Sequence, residues 1–127
     1  MPSQNKISGL PEPTVAFIIG DMALGLVATG ATQGTALALQ ANFSVFITVA
    51  ASTGALLPAA TSVPCVGPNA GDTYVVANLG ANTLLVYPNV GAQVNLTGAN
   101  TGFSVASSKT CEFTMISVTQ WIANLSA

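Results

Sequence analysis

Residues 71–95, GDTYVVANLGANTLLVYPNVGAQVN, decide the fold class of this 127-residue chain. Residues 74–79 and 84–87 are rich in β-branched and aromatic side chains and are apolar on both faces. Such runs are typical of strands that are buried in a core or beneath a neighbouring subunit. Residues 80–82 and 88–91 supply the Gly, Pro and Asn that tight turns require. The stretch therefore predicts short strands joined by turns.

The same pattern continues on both sides of this stretch. Residues 43–49 alternate with period two, and the face carrying Phe43, Val45, Ile47 and Val49 is predicted to be the strongly apolar one. Shorter alternating pieces lie at 36–39 and 103–105. A last long strand is predicted over 110–118, where a slip in the alternation between Met115 and Ile116 indicates a bulge or a switch of sheets.

The sequence leaves two points open, the structure of one segment and the meaning of one repeated motif. Residues 22–41 are ambiguous: residues 22–27 could begin a helix, although Gly25, Gly30, Gly34 and the nearby threonines argue against a long one. The motif Gly-Ala-Asn-Thr occurs at 80–83 and again at 98–101, which favours shared turn chemistry over a true repeat.

Short strands separated by turns along most of the chain predict an all-β fold. We expect a compact antiparallel β-sandwich or jelly-roll-like domain over residues 21–127, preceded by an extended N-terminal arm over 1–20. Residues 1–13, MPSQNKISGLPEP, show no periodicity and contain three prolines, so they predict an arm tied to a neighbour, or else a frayed terminus. An intertwined trimeric β-fold also fits the strand pattern.

The charge of the chain is unusually low. Charged residues make up 5% of the sequence and the net charge is −2, against about 25% charged residues in ordinary domains. They are Lys6, Glu12, Asp21, Asp72, Lys109 and Glu112. Two lysines cannot form a basic patch, so nucleic acid is excluded as a partner. An uncharged surface resists aggregation poorly, which favours a permanent oligomer.

No membrane segment or secretory signal is predicted. Residues 22–71 carry no charge, but Gly, Pro, Ser and Thr interrupt them, and a spanning helix needs about 18 or more apolar residues. Glu12 lies where a signal peptide would be basic, and Asp21 interrupts the apolar run that follows. We therefore expect no membrane partner.

The sequence offers few groups for catalysis. There is no His, which removes the usual general base and metal ligand. Asp72 lies in a predicted turn, and Glu112 is expected to form a solvated pair with Lys109. Cys65 and Cys111 are too few for a zinc site and are expected to be reduced and buried, although a disulfide between them stays open. We expect a protein that is not an enzyme and that has no metal or cofactor.

The block from Gly71 to Ala123 resembles a known family. Its elements are Gly71-Asp72 opening a strand, Asn78-Leu79-Gly80 closing it, then Val86-Tyr87-Pro88, and a final strand that ends in Gln120-Trp121. Together with residues 35–58 upstream, this pattern is similar to the capsid decoration proteins of tailed phages, also called cement or head-fibre proteins.

The resemblance implies a small β-rich homotrimer on the outer capsid surface of a virion, where it clamps neighbouring major capsid proteins. The residues expected to contact capsid or subunits are Pro2, Ile7, Leu10, Pro11, Pro13 and Trp121. The arm would supply the first five. Trp121, in the C-terminal run, is expected to hold the chain end in the core or at an interface.

Two other functions compete with this hypothesis. A receptor-binding module of a tail or head fibre would grip host glycans, with Trp121, Tyr74 and Tyr87 as exposed stacking residues. A small cellular β-sandwich of unknown partner would be monomeric.

Overall fold

The computed structural model describes residues 22–60 and 70–127, and these form ten β-strands and no helix. In chain order the strands are β1 (Met22–Val27), β2 (Leu37–Ala38), β3 (Phe43–Thr48), β4 (Gly54–Leu56), β5 (Thr73–Asn78), β6 (Leu84–Tyr87), β7 (Gln93–Val94), β8 (Phe103–Val105), β9 (Lys109–Ser117) and β10 (Gln120–Leu125). The all-β prediction is confirmed. In the described residues no helix is long and apolar enough to span a membrane.

The strands form two sheets. A six-stranded sheet has the order β1-β3-β5-β9-β10-β7, and a four-stranded sheet has the order β2-β4-β6-β8. Parallel pairs are β1–β3, β3–β5, β2–β4, β4–β6 and β10–β7, whereas β5–β9, β9–β10 and β6–β8 are antiparallel. The prediction of an antiparallel architecture is therefore wrong, because both sheets are mixed.

The connections explain the mixed pairing. From β1 to β9 every link carries the chain from one sheet to the other, and β9–β10 is the one hairpin among these ten strands. Strands that neighbour each other in a sheet are therefore mostly two apart in sequence and can run in the same direction. Turn residues such as Gly, Pro and Asn serve a crossing between sheets as well as they serve a hairpin.

The core lies between the two sheets. Buried apolar side chains of the larger sheet include Phe46, Val76, Phe113, Met115 and Trp121, and the smaller sheet adds Ala55, Leu84, Val86 and Val105. The rings of Phe103 on β8 and Phe113 on β9 meet edge to face with centroids 5.9 Å apart. This contact joins the two layers directly.

Strand β3 turns the opposite face inward from the one predicted. Ser44 and Phe46 are fully buried, whereas Ile47 is 55% exposed and Phe43 and Val45 are partly buried. Val49 is buried, but it lies beyond the last residue of the strand. The alternation indicated the wrong face, because the inner face carries only one large apolar side chain, Phe46, between Ser44 and Thr48.

The register of the larger sheet is irregular at three points, two between β1 and β3 and one between β9 and β10. The slip predicted in the last long strand is confirmed, because Gln120 pairs with Ser117 while Trp121 pairs with Met115, which leaves Ile116 as the extra residue. In β1, Leu24 and Gly25 together lie opposite Val45, and Gly25 has a φ of 70°. A left-handed glycine is typical of such a bulge, and the segment is a strand, so the alternative of a helix at 22–27 is wrong.

Part of the outer face of the smaller sheet is covered by the chain itself, while Ala38 and Ser104 remain exposed. Tyr87 is buried there, flanked by glycines of its neighbours: a Cβ at Gly54 or Gly102 would lie 2.9 or 3.1 Å from the ring. The Tyr87 hydroxyl donates to the carbonyl of Ala31 at 3.3 Å, and Gln33 Nε2 donates to the carbonyl of Pro88 at 2.7 Å. The loop over 29–36 is thereby held against this sheet.

Candidate interaction surface

An apolar outer face lies at one end of the larger sheet. We use this name for Met22 and Leu24 of β1 and Phe43, Val45 and Ile47 of β3. Successive side chains in a strand point to opposite faces. Met22 pairs with Phe43 on the outer face, whereas half-buried Ala23 and fully buried Ser44, which pair with each other, point inward. Met22 is 60% exposed and Leu24 67% exposed. No charged side chain belongs to either strand.

The other half of the same sheet has a different character. The outward positions of β9 and β10 include Thr110, Glu112, Thr114 and Asn124. Thr73 of β5 and Thr114 share a hydrogen bond between hydroxyls at 3.1 Å. The apolar residues are thus densest on β1 and β3. Strands β9 and β10 mix these polar groups with two exposed isoleucines, Ile116 at 52% and Ile122 at 42% exposure.

Strand β1 is also the edge of the sheet within the described residues. Edge strands present backbone N–H and C=O groups that another chain can pair with, and natural proteins often protect them with charges or bulges. Here the bulge at Leu24-Gly25 is present, and charge is absent from the strand. An apolar edge of this kind can bind another protein surface but has no group for chemistry.

Trp121 lies in the core. It is fully buried, its ring meets that of Tyr74 edge to face at 6.0 Å, and its indole N–H donates to Asn89 Oδ1 at 2.8 Å. Because the whole side chain is enclosed, it offers no surface to a capsid or subunit in the folded chain. Of the two roles considered for it, the structure gives the core role.

The aromatic residues of the glycan hypothesis are likewise enclosed. Tyr74 is 7% and Tyr87 9% exposed, so neither ring presents a free face for stacking on a sugar. Trp121 is excluded for the same reason. A glycan site in this protein would have to use other residues.

One cleft of about 430 Å³ opens beside this aromatic cluster. Its walls are mainly aliphatic, with polar groups from Gln40, Tyr74 and Asn89; the lining residues are Ala38, Leu39, Gln40, Leu56, Leu57, Pro58, Ala59, Tyr74, Asn89 and Val90. None of these side chains is a carboxylate, amine or thiol. The phenol of Tyr74 is the one titratable side chain among these lining residues.

The titratable groups do not form a site among the described residues. No group of three or more His, Cys, Asp and Glu there could hold a metal ion. Lys109 and Glu112 are three positions apart in β9, so their side chains leave opposite faces of the sheet. The solvated pair expected between them is therefore wrong.

Cys111 is a free, buried cysteine, as predicted. Burial raises the pKa of its thiol to about 11, with a smaller contribution in the same direction from neighbouring Glu112, while a backbone hydrogen bond at Asn124 opposes the shift. At neutral pH the side chain is a thiol and not a nucleophilic thiolate. Cys65 lies outside the described residues.

The arm residues expected to contact partners, which are Pro2, Ile7, Leu10, Pro11 and Pro13, also lie outside the described residues. Conversely, the apolar outer face was not predicted as a site. Its signal was present in residues 43–49, where Phe43, Val45 and Ile47 form one face and Phe46 lies on the other. Such a strand can be covered on both sides, by the core and by something else.

Comparison with known proteins gives no relative from which a function could be transferred: no protein-family model, no curated protein and no solved structure matches the chain. The candidate surface therefore depends on the geometry of the chain itself.

Proposed function

We propose that this protein is a structural component of a tailed-phage virion, a decoration or cement protein that binds the outer surface of the head. It stabilises contacts between neighbouring major capsid proteins. The observation that carries the proposal is the apolar outer face, an uncharged surface for protein contact on a chain with 5% charged residues. The resemblance of residues 71–123 to decoration proteins gives that surface its proposed partner.

The proposal includes the finer architecture. The two mixed sheets and their shared core would form a β-sandwich, and the arm over residues 1–20 would lie along capsid or a neighbouring subunit. The active form would be a homotrimer. Three linked copies bind a lattice more tightly than one, because each contact raises the effective concentration of the next.

Such a clamp acts by mass action. A protein that binds only the assembled lattice shifts the equilibrium towards assembly by RT ln(1 + [L]/Kd), which is about 2.7 kcal/mol for each site at a free concentration of 100 Kd. No catalytic group is needed for this effect. A surface with few charges also binds in a way that depends little on salt.

The glycan-binding alternative has lost its support in the described residues. It required exposed Trp121, Tyr74 and Tyr87, and all three side chains are buried. The cleft beside Tyr74 has aliphatic walls, which suit an apolar group better than a sugar. We therefore place the virion proposal first.

A heat-protection experiment tests the proposed stabilising action. Undecorated heads from the same source are heated with increasing amounts of the protein, and release of packaged DNA is followed with an intercalating dye. We expect the release temperature to rise and then level off, because linkage stabilises only until the sites are filled. Heads heated with the same concentration of an unrelated small β-protein provide the control. An unchanged release temperature at the highest concentration would contradict the proposal.

A further inference from the structure

We propose that the cleft beside Tyr74 binds a small, uncharged molecule that has an aliphatic body and one hydrogen-bond acceptor, such as an alcohol or a ketone. The cleft has a volume of about 430 Å³, which lies within the range of about 300–1,000 Å³ that is usual for small-molecule pockets. No residue of the apolar outer face lines it. This site is therefore separate from the surface proposed to contact the phage head.

The topology of the smaller sheet creates the cleft. Strands β2, β4 and β6 are parallel, so their carboxyl ends lie at the same edge of the sheet. The residues that follow these ends, 39–40, 57–59 and 89–90, supply most of the lining. The N–H of Leu39 donates to the carbonyl of Leu56 at 3.0 Å, and the N–H of Leu57 donates to the carbonyl of Tyr87 at 2.9 Å. The backbone ladder thereby continues past the strand ends and holds the walls in place.

The cleft reaches from the surface to the hydrophobic core. Leu39, Leu57 and Tyr74 line it and are buried members of the core cluster. Val90 and Ala59 line it as well, but both are exposed to solvent. An aliphatic body in the cleft would thus exchange water for contacts with buried apolar side chains, which favours binding.

The absence of charge from the lining selects the ligand. Among the described residues the charged side chains are Asp72, Lys109 and Glu112, and none of them lines the cleft. A charged ligand would lose hydration there and gain no opposite charge in return. An uncharged ligand of the same shape avoids this penalty, so the cleft should bind neutral molecules in preference to ionised ones.

Asn89 supplies a hydrogen-bond donor for the acceptor of the ligand. Its side chain is 9% exposed, and its Oδ1 accepts the indole N–H of Trp121 at 2.8 Å, which fixes the orientation of the amide. Nδ2 donates to the carbonyl of Val118 at 3.5 Å, longer than the usual limit of about 3.2 Å. Because an amide nitrogen carries two hydrogens, Asn89 keeps one without a partner among the described residues, available to a ligand oxygen.

Two-dimensional ¹H–¹⁵N NMR of the full chain tests the proposal, with 1-hexanol as the probe. The chain has one tryptophan, so the indole N–H signal of Trp121 is unambiguous, and its bond to Asn89 couples it to the cleft. We expect saturable shifts of this signal and of the Asn89 side-chain amide, with a dissociation constant on the order of 1 mM for a six-carbon chain. Hexanoate has the same chain length but is ionised at neutral pH, so it should bind more weakly by about tenfold or more.

Two variants show whether the probe binds in this cleft. Ala59→Phe places a ring in the cleft and should weaken binding of 1-hexanol by about tenfold or more. Ala106→Phe is the matched control, because Ala106 is also exposed but does not line the cleft, and it should bind like wild type. Far-ultraviolet circular dichroism establishes that both variants are folded.

Three results would each overturn the proposal: no saturable shift with 1-hexanol, equal binding of hexanoate, or unchanged binding by folded Ala59→Phe. No heads are present in this experiment. Binding of 1-hexanol by a protein that fails to bind heads would therefore leave the cleft as a ligand site and remove the proposed function.

Discussion

At the scale of single residues, Leu96 stands apart from the other exposed apolar side chains. Asn95 and Leu96 have φ angles of 51° and 63°, and the N–H of Thr97 donates to the carbonyl of Val94 at 2.9 Å. This is the geometry of a type I′ turn. Leucine is a poor residue for its second central position, because its Cβ crowds the backbone in the left-handed region. The side chain is 79% exposed, so packing contacts offset little of this backbone cost.

We therefore expect Leu96→Asn to stabilise the protein by roughly 0.5–1 kcal/mol, since asparagine tolerates the left-handed region better. Urea unfolding followed by Trp121 fluorescence measures the change. Val118→Asn, at an exposed turn position without a positive φ, should have little effect. A destabilising Leu96→Asn would mean that the leucine makes contacts that its exposure does not reveal.

Trp121 shows how far a single residue can be interpreted from the sequence. Its position in the C-terminal run predicted a side chain that holds the chain end in the core or at an interface, and the core alternative is the one observed. Its hydrogen-bond partner could not be predicted. Asn89 lies 32 positions away, in a segment whose residues indicated a turn, and only the pairing of β7 with β10 brings the two together.

At the scale of elements, the two Gly-Ala-Asn-Thr turns differ in structure. Asn82 donates to the carbonyl of Val49 at 2.8 Å, whereas Asn100 has a φ of 63° and its side-chain oxygen accepts the N–H of Gly91 at 2.7 Å. Gly98 has a φ of 110°, and Gly80 is not in the positive region. The motif is therefore shared turn chemistry and not a structural repeat.

Gly80 is required by packing rather than by its backbone angle. A Cβ built there would lie 2.7 Å from the Cβ and the backbone N of Val49, so the two turns would have to move apart. We expect Gly80→Ala to destabilise the protein by about 1–3 kcal/mol, the usual cost of overpacking. Chemical denaturation measures this loss.

Gly34→Ala is the matched control for that substitution. A Cβ at Gly34 meets nothing within 4 Å, and its φ is not positive, so alanine should be neutral or slightly stabilising through the unfolded chain. Equal effects at the two positions would show that the contact between Gly80 and Val49 does not constrain the fold.

The strands themselves were largely predictable, because β5, β6, β8 and β9 follow β-branched and aromatic runs that the sequence displays. The short strands β4 and β7 were not, since two or three residues give no period to detect. Strand β10 was missed as well, because the last long strand was predicted to end at residue 118. Which face of β3 points inward was also beyond the sequence. That choice is made by its register with β5, which sets Ser44 opposite Val76 and Phe46 opposite Asn78, all fully buried.

At the scale of the whole molecule, the order of strands could not be predicted. An all-β fold follows from local patterns, but pairing is decided by which sheet each connection enters, and a turn has the same residues in either case. Here eight successive connections carry the chain from one sheet to the other. Strands whose turn residues suggested hairpins therefore become parallel neighbours. This arrangement satisfies the buried side chain of Asn78, whose amide donates to the carbonyls of Asn82 and Val105, each at 2.8 Å.

The proposed role belongs to the same scale, since it depends on a surface assembled from β1 and β3 and on the low charge of the entire chain. The chemistry available in the described residues supports protein contact, and Cys111, the buried thiol, has a pKa too high for a nucleophile at neutral pH. The central claim is that this contact includes the phage head.

Co-sedimentation with undecorated heads from the same source tests that claim most directly. Increasing amounts of the protein are mixed with heads, the heads are pelleted, and the bound copies per head are counted. We predict saturable binding, weakened when residues 2–13 are deleted because the arm adds contacts. If the deletion variant binds heads as tightly as the wild-type protein, residues 2–13 add no contact to the head. Protein that stays in the supernatant at every concentration, with heads that are intact and undecorated, would contradict the central claim.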